Sequence, residues 1–304
     1  MVPSLRVSSR KDSLVVSFRR ILYPVDFSLR SRQTTPLVAA IARKFSAEVI
    51  LLHALDPLPA ICYAPEFSAF SPGPFLEHQR ETAAAELAGF AEAEFPNVPV
   101  LEEIVAGNAA DSIVDAVACR QADLIIMPTH GRGLFRRLLL GSVTAKVLHD
   151  TRCPMLTDTH SERYPPARSG EVRRILCALD TGIENVHVLQ AAADVATEYG
   201  AHVHLVHALP GQEAYYENNI DPGLRQFLMR SAREKIAVLQ REAGTDWELC
   251  VKAAPVAEVV RKTAEDYGAD LVVIGRGRAR EHLGPMRTNS TVIVRESPCP
   301  VLSV

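Results

Sequence analysis

Arg20-Ile21-Leu22-Tyr23-Pro24-Val25-Asp26 is written again as Arg174-Ile175-Leu176-Cys177-Ala178-Leu179-Asp180, 154 residues later. Each copy is an apolar run closed by aspartate, the pattern of a strand buried on both faces with a polar residue at its carboxyl end. Working outward, Ala47 to Leu55 returns as Ala201 to Leu209 at the same offset. Ala122 to Met127 returns as Ala269 to Ile274 at an offset of 147, and Cys153 to Leu156 returns as Cys299 to Leu302 at 146. Four segments recurring in one order mean two copies of a domain, because a short-period solenoid would repeat every few tens of residues.

Strand-like runs are expected near 20–26, 48–54, 99–105, 122–128 and 154–158. In the second copy they fall near 173–179, 202–208, 247–253, 269–275 and 300–304. Helical stretches alternate with them. The first starts at Pro36, with Leu37, Val38, Ile41 and Phe45 on one face. The others run from Leu76 to Phe95, Asn108 to Cys119 and Ser142 to Asp150. Alternation of this kind predicts an α/β fold with helices on both faces of a parallel sheet. The domain plan is an N-terminal extension 1–18, a first domain 19–158, a linker 159–171 and a second domain 172–304. Pro57, Pro59, Pro65, Pro72 and Pro74 mark an irregular loop able to act as a lid.

With 304 residues, 47% hydrophobic and 23% charged, and a net charge of -3, the chain has an ordinary globular composition. That charge gives no reason to expect nucleic acid or an acidic membrane as partner. No apolar run approaches the roughly 18 residues needed to span a bilayer. Leu14-Val15-Val16 is too short for a signal peptide's apolar region, so a cytoplasmic address is expected. The six cysteines have no CxxC spacing and read as reduced, mostly buried residues.

After the fourth strand of the first copy come Pro128-Thr129-His130-Gly131, nine residues, and Gly141-Ser142-Val143-Thr144. Glycine lets backbone amides approach a ligand closely, and a helix opening at Ser142 offers unpaired N–H groups to an anion. Read alone, Gly131 is a turn and Ser142 an N-cap. Read with Asp26, His53-Ala54 and the final Cys-Pro strand, the constellation resembles the universal stress protein family, and within it the ATP-binding branch. The resemblance covers nearly all of the chain outside the first eighteen residues and the linker.

That resemblance implies two doubly wound, Rossmann-like five-stranded parallel sheets of order 3-2-1-4-5, their last strands pairing between domains. It implies ATP as ligand of the first domain, with Mg²⁺ assisting if the whole triphosphate is engaged. Pro24, Val25, Asp26, Ala54 and Met127 would bracket adenine and ribose, and Gly131, Gly141, Ser142 and Val143 would hold phosphates. His130 and Arg132, with Arg136 and Arg137, are anion partners by position, though the arginines read equally as an exposed basic face. Pro128 stands where the family's pattern has its first glycine; it lacks an N–H and narrows the pocket near the ribose.

In the second copy Asp180, Gly275 and Thr288 match. Arg278, or Gly277 with a one-residue deletion, takes the second glycine's place and Arg287 the third, so a degenerate, non-binding loop is expected there. Arg276, Arg278, Arg280 and Arg287 form a basic cluster in the same stretch. His53 and His207 belong to separate domains and read as structural histidines, not a metal pair. No GxxxxGK[ST], GxSxG or HExxH motif assigns an enzyme; a slow ATPase is the most the loop could support. The reading is a nucleotide-binding regulatory module with unknown protein partners, and a homodimer of the two-domain chain is compatible with it. The alternative is a nucleotide-free interaction scaffold in which both loops are vestigial.

Overall fold

Apolar runs form strands here wherever helices can cover both sides. The computed structural model describes residues 18–55, 72–130, 140–158, 170–209, 222–276 and 289–304. The first copy comprises β1 (Arg20–Pro24), α1 (Leu29–Phe45), β2 (Glu48–Leu55), α2 (Pro72–Glu94), β3 (Val100–Ala106), α3 (Ala109–Arg120), β4 (Leu124–Pro128), α4 (Ser142–Asp150) and β5 (Met155–Asp158). The second comprises β6 (Arg174–Ala178), α5 (Val186–Tyr199), β7 (His202–Ala208), α6 (Pro222–Ala243), β8 (Leu249–Lys252), α7 (Val256–Tyr267), β9 (Leu271–Ile274), α8 (Asn289–Glu296) and β10 (Val301–Ser303). Residues 56–71 of the proposed lid, the N-terminal extension before Phe18 and most of the linker lie outside the described residues, while Pro72 and Pro74, read from sequence as part of that irregular loop, are the start of α2.

Strand order is β3-β2-β1-β4-β5-β10-β9-β6-β7-β8, so each copy has the expected 3-2-1-4-5 arrangement. The two sheets join into one sheet of ten strands. Every pairing is parallel except β5 with β10, which is antiparallel and sets Leu156 opposite Leu302. Those two leucines are repeat equivalents, so a local twofold axis passes between them. Joining the copies this way covers two short apolar strands that would otherwise be open edges. At the far edge, β3 carries Glu102 and Glu103, charges of the kind that discourage further strand addition.

Side chains alternate across the sheet and sort into two cores. Ile21, Tyr23, Ile126 and Leu156 pack on the side of α1 and α2, while Leu22, Leu52, Ile125 and Met127 pack on the side of α3 and α4. Unbroken runs of Ile, Leu and Val, with no glycine inside β1, β2 or β4, make these continuous buried strands.

Two helix starts differ from the sequence reading. α1 begins at Leu29, capped by the Ser28 side chain on the Ser31 amide, and Pro36 lies inside it. The Ser28-x-x-Ser31 cap fixes the start, and the buried face from Leu37 to Ala42 holds the helix through the proline. α2 starts at Pro72 instead of Leu76. Prolines at 72 and 74 suit a first turn, whose N–H groups have no partner in the helix anyway.

Candidate functional site

The strand order reverses between β1 and β4, and ligands of such sheets bind outside the carboxyl ends at that point. Leu22 pairs with Ile125, and continuing the register by two residues sets Pro24 beside Met127. Met127 belongs to the α3/α4 core, and Pro24 and Ala54 share that face by alternation. Leu140 and Val143, at the start of α4, are packed against the same core. Pro24, Ala54, Met127 and Val143 are thus gathered at one end of the sheet, on one face.

Val25 contributes differently from its neighbours. Its side chain is buried in the α1/α2 core. Its N–H donates to Leu52 O at 2.8 Å, and its carbonyl accepts from His53 Nδ1 at 2.8 Å. The residue anchors the end of β1 and has no main-chain group left over. In the second copy His207 Nδ1 donates to Leu179 O at the same 2.8 Å. Both histidines are strand-end clamps, as read from sequence. Among the described residues no group of three or more His, Cys, Asp or Glu could hold a metal ion.

Asp26 is fixed by α1. Its Oδ1 accepts from the Ser28 amide at 3.0 Å and from Ser31 Oγ at 2.6 Å. Between Asp26 and Ser28, Phe27 adopts the left-handed region with φ 57°, rare for a bulky residue and costing on the order of 1 kcal/mol. Its ring lies 4.5 Å from the His53 ring and 6.0 Å from that of Phe90, contacts that hold the turn. Thr181, the equivalent residue, is not in that region. Ser28 and Ser31, which hold the Asp26 carboxylate, are residues that motif reading passed over; the S-x-x-S spacing before an apolar helix was the available signal.

Beneath Asp26 lies a buried polar cluster that the second copy lacks. The Tyr23 hydroxyl and Thr35 Oγ1 both donate to the Ser31 carbonyl, and Thr34 Oγ1 donates to Asp158 Oδ2 at 3.1 Å. Burial pushes the Tyr23 phenol well above its ordinary value, with the Asp158 and Asp26 carboxylates adding to the effect. The second copy has Cys177, Leu189, Val188 and Val304 at the positions of Tyr23, Thr35, Thr34 and Asp158. Only the first copy therefore keeps a polar foundation under its strand-one aspartate.

Gly141 is the N-cap of α4, with φ -57° and ψ 141°, and Ser142 is the first helical residue. The expectation that Ser142 could be a mere cap is thereby corrected: the cap position carries no side chain, and α4 has no side-chain cap bond. By contrast Ser28 and Asn108 cap α1 and α3. The Gly141 N–H itself donates to Thr129 O at 2.8 Å, and Thr144 Oγ1 donates to Pro128 O at 3.1 Å, folding the end of the loop back onto β4. With the Gly141 N–H so engaged, the first helical hydrogen bond is that of Ala145 N–H to Gly141 O at 2.8 Å, and the first-turn amides from Ser142 have no partner in the helix. Uncapped first-turn amides with the positive helix end behind them suit a phosphate. His130 Nδ1 lies 3.2 Å from Thr129 Oγ1. Gly131 and Arg132, with Arg136 and Arg137, fall outside the described residues.

Pro128 is buried at the end of β4, in register with Asp158. Alternation from Met127 directs its ring to the α1 side, away from the face that gathers Pro24, Ala54 and Met127, so the narrowing near the ribose expected from sequence does not fall on that face. Its equivalent explains the glycine: a Cβ on Gly275 would meet Val188 Cγ2 at 2.9 Å and Asn185 Oδ1 at 3.2 Å. In the second copy glycine is required by helix packing; in the first, the smaller Ser31 replaces Asn185. Gly277, Arg278, Arg280, Arg287 and Thr288 lie outside the described residues, whereas Arg276 is described and is not a loop residue facing solvent. Its guanidinium, half-buried, donates to main-chain carbonyls of the first copy.

The profile of the universal stress protein family matches residues 17–157 and 171–304. A universal stress protein of Methanocaldococcus jannaschii is 31% identical over 139 residues, covering 46% of this chain and 81% of that protein. One of Mycobacterium tuberculosis is 32% identical over 143 residues, covering 46% of this chain and 45% of that protein. A crystal structure of a universal stress protein from Archaeoglobus fulgidus superposes with TM-score 0.64 at 20% identity, covering 93% of this chain and 95% of the other. Among the described residues no helix is long and apolar enough to cross a membrane.

Proposed function

The chain belongs to the universal stress protein family as two family domains in tandem, and from that premise we propose that it is an adenine-nucleotide-binding regulatory module whose first domain holds the competent site. The observation that carries this reading is the uncapped start of α4 at Gly141-Ser142, at the end of the sheet where the strand order reverses. Adenine and ribose would lie on the face of Pro24, Ala54 and Met127, with Asp26 held at its edge by Ser28 and Ser31. The phosphates would meet the first-turn amides of α4, where the helix dipole favours negative charge. The Pro128 ring, directed to the opposite face, leaves that path open. His130, Gly131 and Arg132 would complete the phosphate contacts from the loop.

ATP, when bound, supplies the phosphate charge to which Mg²⁺ would be recruited; the protein's part is to orient and to exclude water. Nothing assigns a base for hydrolysis, so binding and its readout by partners are the activity proposed, in the cytoplasm. The scaffold reading is favoured by one observation: the Asp26 carboxylate is already engaged by Ser28 and Ser31. Mass spectrometry of small molecules released on denaturing the purified full chain, followed by calorimetry with ATP, ADP and AMP, decides between them. Binding with one nucleotide per chain is expected. No binding at millimolar nucleotide by a folded sample would leave the scaffold.

A further inference from the structure

Arg276 is the repeat equivalent of Thr129: Thr129 follows β4 directly, and Arg276 follows β9 after Gly275, so each stands at the root of its own domain's loop. The two side chains do different work. Arg276 is anchored in its own domain by its N–H on Val304 O at 3.1 Å and by Nη2 on Ser303 O at 3.0 Å. Its guanidinium then crosses into the first domain. Nη1 donates to Thr151 O at 2.5 Å, and Nη2 to Cys153 O. Thr151 is the C-cap of α4, and Cys153 lies in the turn that carries the chain from α4 into β5. Thr129, a short side chain, makes no such reach, so among the described residues the crossing from this position runs one way.

Burying a guanidinium is expensive, and burial draws its pKa down to about 10, so it stays cationic at neutral pH. No carboxylate among the described residues pairs with it, and its Nε is buried without a hydrogen-bond partner there. A residue kept under such conditions is matched to something other than a salt bridge. What it faces is the negative end of α4, where unpaired carbonyls and the helix dipole favour a cation. The nine-residue α4 therefore has a cation from the second domain at its C-terminus and an uncapped, anion-seeking N-terminus in the first.

We infer that Arg276 is an interdomain positioning residue: the second domain, without binding nucleotide itself, holds the first domain's phosphate helix in place for ligand. The inference rests on the nucleotide reading above for its ligand but on its own contacts for its geometry. It gives the degenerate second domain a role.

The test uses the full chain with Arg276→Met and Arg276→Lys, the second retaining a cation without the fork that reaches two carbonyls at once. Mg²⁺-ATP affinity is measured by calorimetry, and hydrogen exchange is followed along α4 in the absence of nucleotide. Affinity is expected to fall about three- to tenfold in Arg276→Met, the range of a lost helix-end charge, and less in Arg276→Lys. Exchange of the amides from Val147 to Cys153 should quicken, while that of α7 in the second domain stays unchanged. Folded variants with wild-type affinity and wild-type exchange in α4 would overturn the inference. If the wild type binds no ATP, the nucleotide reading falls. The exchange arm then decides the inference by itself: quickening confined to α4 supports the clamp, and unchanged α4 refutes it. Should Arg276→Met fail to fold, Arg276→Lys carries both measurements.

Discussion

Placing a side chain at Gly141 separates the room a glycine leaves from the hydrogen bonds it makes. A Cβ there would stand 3.3 Å from Thr129 O, 3.4 Å from His130 Cα and 3.6 Å from Thr144 Oγ1. The backbone, at φ -57°, is open to any residue, so no conformational strain is incurred. Gly141→Ala therefore asks only a shift of a few tenths of an ångström, and its stability loss should stay below about 1 kcal/mol. Longer side chains cannot turn back onto Thr129 and must extend over the first turn of α4, covering the amides of Ser142 and Val143. Two bonds to a charged phosphate, at about 1.5–3 kcal/mol each, are then lost, and affinity for ATP should drop by about a hundredfold or more. Gly141→Arg mimics Arg287, the equivalent residue of the second copy. Gly141→Met, similar in reach but uncharged, controls for attraction between arginine and phosphate. Calorimetry with Mg²⁺-ATP, beside thermal melts of each apo protein, gives both quantities. Folded Gly141→Arg and Gly141→Met proteins that bind ATP as tightly as wild type would refute the assignment of the phosphates to the start of α4.

Other outcomes follow from the same contacts. His207→Ala removes the donor to a buried carbonyl and should destabilise the chain by about 1–3 kcal/mol in denaturant melts. His53→Ala should behave alike and also unsettle Phe27, visible as weaker nucleotide binding. Iodoacetamide should label the exposed Cys119 in native protein at pH 8 and spare Cys153, Cys177 and Cys299 until unfolding. Burial pushes the Cys153 and Cys299 thiols up to about 12, so folding favours their neutral forms. The stability this contributes is full below the unfolded thiol pKa, about 8.5, and lost as pH rises from there towards 12; thermal melts across that window should show the decline.

The repeat of 20–26 at 174–180 was sufficient to show two copies of one α/β domain. Strands buried on both faces must be continuously apolar, and a chain that writes the same set twice has to build the same sheet twice. The strand-end histidines were legible that way, whereas the strand order and the pairing of the last strands came with the family resemblance and not from the repeat alone. Helix starts were less so, because a proline looks alike at a first turn and inside a helix; only the Ser28 cap and the packing beyond Pro36 distinguish them. Within the site, sequence supplied the residue types at Asp26, Met127 and Gly141, but not their states. Whether an aspartate is held by neighbouring hydroxyls, whether a cap position carries a side chain, and which face a proline ring takes all depend on neighbours distant in sequence. Arg276 is the clearest instance. By sequence it belongs with Arg278, Arg280 and Arg287 as one more charge in a basic loop. Its role was decided by the antiparallel joining of β5 to β10, which brings the α4–β5 turn of one copy within reach of a side chain 125 residues away in the other.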